Sequence, residues 1–104
     1  MAVVVVLSTF PSEDKAAEIA RALVDERLAA CVNVVGGVRS IYRWQGAISD
    51  DREVLAVIKT SHTQLDALRV RLVALHPYDV PEVIALDVAS GHAPYLEWVL
   101  AQTR

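Results

Sequence analysis

Residues 28–59 read LAACVNVVGGVRSIYRWQGAISDDREVLAVIK. Leu28 to Val35 has the β-branched character of a strand, and strand character resumes at Val38 and runs to Trp44. Gly36-Gly37 between them predicts a bulge and not an end. Gln45-Gly46-Ala47 is a tight-turn signal, and Ile48 to Lys59 returns as a second long strand, alternating first and then apolar through Val54-Leu55-Ala56-Val57-Ile58. The stretch therefore predicts one unusually long β-hairpin.

Working outward, Ala2 to Ser8 (AVVVVLS) is a continuous apolar run of the kind that suits a central strand. Phe10-Pro11-Ser12 ends it. Ser12 is placed to cap a helix, and Glu13 and Asp14 sit where the helix dipole favours acids. Ala16, Ile19, Ala20, Leu23 and Val24 recur at helical spacing. After the hairpin, Thr60 to Thr63 opens a second helix carrying Leu65, Leu68, Leu72 and Leu75, which Pro77 stops. Val83 to Val88 reads as a fourth strand, Ser90 to Pro94 as a loop, and Tyr95 to Gln102 as a short final helix begun by Pro94.

The order β-α-β-β-α-β plus a short C-terminal helix is the ferredoxin-like α+β plan in one domain, residues 1–104. Two right-handed crossovers put strands 1 and 3 in the middle of one antiparallel sheet, with both long helices on one face. The other face is left bare. The chain is 54% hydrophobic and 22% charged, so an oligomer that covers this face is expected.

Net charge is −3, and the ten Lys and Arg residues are scattered. This gives no electrostatic footprint for nucleic acid and no basic amphipathic face for a membrane. The longest apolar run, Met1 to Leu7, is far short of the ~20 residues that span a bilayer and lacks a signal peptide's basic flank. A single cysteine excludes an internal disulfide and a cysteine zinc cluster. A cytoplasmic protein is the expectation.

Few residues offer chemistry. Cys31, in the strand AACVN, is read as a small buried hydrophobe, having no Lys, Arg or His within three residues. His62 and His92 lack a partner at metal-ligand spacing. His76 heads the run His76-Pro77-Tyr78-Asp79-Val80-Pro81-Glu82. Two prolines fix this path, either to present side chains or simply to join helix to strand. Lys59 ends the third strand, as an anion anchor with Glu82 the candidate partner, or as a lysine reaching out of the sheet edge. Tyr42, Trp44, Tyr95 and Trp98 are read as packing residues. There is no glycine-rich phosphate loop, G-x-S-x-G, HExxH or RNP-type aromatic stripe.

Several stretches together resemble the CutA divalent-cation-tolerance family over essentially the whole chain: VVLSTFPSEDKA, ALVDERLAACVNV, SIYRWQGAI, VIKT, HPYDVPE and YLEWV. The resemblance implies a homotrimer whose long hairpins reach neighbouring subunits, a link to copper and other divalent metals, and no established reaction. It also implies likeness to the PII signal proteins in fold and assembly, hence ligand sensing at inter-subunit clefts by analogy. The positions matching the family's cleft are Trp44, Lys59, His76, Tyr78, Pro81, Glu82 and Tyr95. A copper site with a cysteine at the end of the first strand and two histidines before the proline is matched here by Ser8, Leu75 and His76. Only His76 retains a metal-binding side chain, which suits Cu(II) or another borderline divalent cation better than Cu(I). The resulting expectation is a metal- or small-ligand-binding trimer and not an enzyme. The cleft should take a small anion or a metal, with no cofactor required. An enzyme using Lys59, His76 and Glu82, or a trimeric scaffold, are the alternatives.

Overall fold

The computed structural model describes residues 2–104. Met1, the first residue of the opening apolar run, lies outside them. The elements are β1 (Val3–Phe10), α1 (Glu13–Asp25), β2 (Cys31–Trp44), β3 (Ala47–Ser61), a 3-10 turn (His62–Gln64), α2 (Leu65–Leu75), β4 (Ile84–Asp87) and α3 (Ala93–Gln102). They build one antiparallel sheet in the order β2-β3-β1-β4. Strands 1 and 3 are central, and the fold is the ferredoxin-like plan with an appended helix.

α1 and α2 pack on the face of β1 that carries Val6 and Phe10. Ala16, Ile19, Leu23, Leu68 and Leu72 meet Val54, Ala56 and Ile58 of β3 there, all buried. Ser12 caps α1 as its composition implies, accepting from the Lys15 N–H at 3.1 Å. The hairpin turns at Gln45 and Gly46, both at positive φ (49° and 80°), directly after the Trp44–Ala47 pair. That is the backbone a two-residue hairpin turn requires. The register shift between Val35 and Val38 confirms the bulge at Gly36-Gly37.

Several boundaries differ from the expectation, among them the start of α3, which lies at Ala93 within the expected loop and not at Tyr95. β1 continues to Phe10, which still pairs with Val54. β2 begins at Cys31 and not Leu28, because residues 27–29 turn their N–H groups back to close α1. Arg27 donates to the Val24 carbonyl, and Leu28 and Ala29 to Leu23. β3 continues through Thr60 and Ser61, which pair with Val4 and Val3, so the second helix starts only after the 3-10 turn. β4 is the short segment Ile84–Asp87.

The other face of the sheet is covered only at one end, where Val99 of α3 packs with Val3 and Ala30. Opposed residues of antiparallel strands share a face, and the register therefore groups Val5 and Leu7 with Val57 and Leu55, Leu86 and Ile84, and Val35 on this open side. Beyond Phe10, β1 ends while the hairpin continues, leaving the β1-side edge of residues 47–53 without an intrachain strand partner.

Candidate functional site

Where β1 stops and the hairpin projects, the loop after α2 folds back beneath the ribbon. The space between them is a groove of about 920 Å³, walled by Tyr42 and Trp44 of the hairpin and by Pro77, Tyr78 and Glu82 of the loop. Pro77 fixes His76 in an extended conformation (φ −69°, ψ 138°), as a residue before proline must be. The loop leaves the helix at a set angle as a result.

His76 is buried and closes this corner from below. Its ring stacks on Phe10, with centroids 4.5 Å apart and planes at 21°. Nδ1 lies 3.1 Å from the Tyr78 N–H and accepts from it. Nε2 lies 2.9 Å from the Thr9 carbonyl, which can only accept, so Nε2 carries the proton. Burial pushes the imidazole below its ordinary range, and the Thr9 bond and the Glu53 charge oppose that only in part. His76 is thus a neutral imidazole with both nitrogens engaged. In this conformation it has no free lone pair for a metal, because a ligand nitrogen must be unprotonated and unshared.

Two phenol–carboxylate pairs line the groove. The Tyr78 hydroxyl donates to Glu53 at 2.6 Å, and the Tyr42 hydroxyl to Asp51 at 2.5 Å. Burial is the leading cause that raises the Tyr78 phenol, followed by the bond to Glu53. For Tyr42 the bond to Asp51 leads. Both phenols therefore keep their protons. Among the described residues no group of three or more His, Cys, Asp or Glu side chains comes together as a metal site.

The matched cleft residues fall into two groups within one chain. Trp44, Tyr78 and Glu82 face the groove, Pro81 stiffens its loop, and His76 underpins it. Lys59 lies six residues along β3 from Glu53, roughly 20 Å at ~3.3 Å per residue. The expected Lys59–Glu82 partnership is not formed in the chain. Lys59 instead donates to the Asn33 side chain across the β2–β3 ladder. Tyr95 belongs to this second group. Burial raises its phenol, and the Cys31 thiol adds to the effect. Cys31 is partly buried, where the reading was of a buried thiol, and it stands opposite Lys59 in the register. Separation along the chain hid a neighbour that the register supplies. Asp51 and Glu53 were also missed as groove residues. Their alternation just before the apolar run 54–58 is the signal that marks them as one face of the ribbon.

Residues 4–102 match the family model described as CutA1 divalent ion tolerance protein. The chain belongs to the CutA1 family. The CutA1 protein of Thermus thermophilus, named a divalent-cation tolerance protein, is 54% identical over 95% of this chain and 96% of its own length. Protein CutA of Homo sapiens is 53% identical over 88% of this chain, which spans 51% of that longer relative. The crystal structure of CutA from Xylella fastidiosa superposes with a TM-score of 0.97 at 43% identity, covering 100% of both chains. The family description and the name of the Thermus thermophilus relative refer to divalent-ion tolerance, and none of these names specifies a reaction.

Proposed function

We propose that this chain is a non-enzymatic, cytoplasmic homotrimer. Its clefts lie between subunits, bind a small polar ligand and serve divalent-metal tolerance. The observation that carries the reading is the unpartnered side of the sheet. Ile84, Leu86 and Val35 remain 49%, 50% and 45% exposed on the helix-free face, beside a hairpin edge with free backbone donors and acceptors. A monomer would leave both in water. Closed three-fold pairing covers both at once. In that arrangement the Lys59–Tyr95 group of one chain meets the Trp44–Tyr78–Glu82 group of the next, reuniting the two halves of the cleft.

The metal part of the reading is limited by His76. A divalent cation there must displace either the Tyr78 N–H from Nδ1 or the proton from Nε2, at the cost of a buried hydrogen bond. Copper(II) or zinc(II) binding is accordingly weak. Titration calorimetry with both metals on wild type and His76→Ala tests this. The expected result is binding in the high-micromolar range or weaker that the substitution abolishes. Nanomolar binding that survives His76→Ala would place the metal elsewhere, and no heat at millimolar metal would remove direct metal binding from this chain's role.

A further inference from the structure

The chemistry of the groove selects a class of ligand. We propose that it binds the ammonium or guanidinium group of a small organic cation. The inference rests on the reading that the groove forms part of an inter-subunit cleft. Its walls are the rings of Tyr42, Trp44 and Tyr78, and aromatic faces attract cations through their quadrupoles. The hydroxyl protons of the two tyrosines are already committed to Asp51 and Glu53. The phenols therefore offer an incoming anion no donor, while their partners keep two negative charges beside the rings.

Asp79 and Glu82 add two more carboxylates from the proline-fixed loop, and neither has a hydrogen-bond or ion-pair partner among the described residues. Against these four acids the lining includes one cation, Arg52, which alternates to the opposite face of the ribbon from Asp51 and Glu53. The trimer proposed above adds a second, Lys59 of the neighbouring chain, so the acids remain in excess by two. The carboxylates do not converge as a metal-ligand cluster. A bare divalent ion, which needs several oxygens at ~2–2.6 Å, is poorly served by that spread. A larger cation with diffuse charge gains from dispersed acids and from ring faces together, and about 920 Å³ is ample for one. The expectation of an anion here, built on Lys59, does not suit the groove's own lining.

The test is titration calorimetry on the assembled protein with tetramethylammonium and agmatine, against sulfate and magnesium at matched ionic strength. Saturable binding of an organic cation at one per chain is expected. Glu82→Gln or Asp79→Asn should weaken it at least about fivefold, the size of one modest cation contact. Tyr78→Phe, which keeps the ring, should retain it. Sedimentation of each variant separates lost binding from lost assembly. Sulfate binding without cation binding would overturn this inference and leave the cleft reading standing. Magnesium binding as well as the organic cations would reduce the groove to generic acidic attraction and also overturn it. An amine that binds only dissociated chains would show that a neighbour's basic side chain holds the seat, against a free ligand. An intact trimer that binds no probe overturns both this inference and the cleft reading.

Discussion

Ser8 carries the buried side-chain oxygen that has no hydrogen-bond partner among the described residues. It is fully buried on the helix-facing side of β1, between Val6 and Phe10. A hydroxyl stripped of water and left unpaired costs about 1–3 kcal/mol, and Ala fits the same space. Ser8→Ala is therefore expected to raise stability by about 1 kcal/mol in denaturant titration, and a loss of that size would show that the hydroxyl has a partner. Residue-scale chemistry was legible where the backbone dictates it: the extended His76 before Pro77, the capping Ser12. It was not legible where partners come from distant strands. Lys59 with Asn33, Cys31 with Lys59, and Tyr78 with Glu53 each depend on register or loop path, which no local pattern encodes.

At the scale of elements, α1 ends in a Schellman motif. Leu28 N–H reaches the Leu23 carbonyl at 2.9 Å, Arg27 N–H reaches Val24 at 3.1 Å, and Arg27 sits in the left-handed region at φ 60°. An L-residue there carries a steric penalty of roughly 1 kcal/mol that glycine avoids. Arg27→Gly should raise the unfolding free energy by about that amount in denaturant titration, and a drop would mean that the Arg27 side chain holds the turn. The same motif explains why the start of β2 was misplaced. LAAC has strand composition, but its first amides are spent on the helix end. The bulge, the turn and the alternation of the hairpin were legible because all three are local signals, whereas its two outer ends were not. Trp44, 45% exposed beside the turn, stands too far out for its own chain's core. Trp44→Ala should leave the monomer fold intact and weaken assembly at least about tenfold, the signature of an interface anchor. Dilution followed by size measurement checks this, and unchanged assembly would remove Trp44 from the interface.

At the scale of the molecule, the layers follow from element order, and the open face follows from the layers. A chain of 104 residues has two long helices and needs both for one side of its sheet. α3 reaches only the end near Val3. The molecule is elongated, 44 × 25 × 22 Å, because the hairpin runs past the end of β1. Its second apolar side and its free strand edge are the two surfaces that the proposed trimer covers together. The most direct test is sedimentation equilibrium of the purified protein at micromolar concentration. The account predicts one species at three times the 11.4 kDa chain mass, unchanged on dilution to the lowest measurable concentration. A stable 11.4 kDa monomer would contradict it, and would leave the open sheet face and the divided cleft without an explanation.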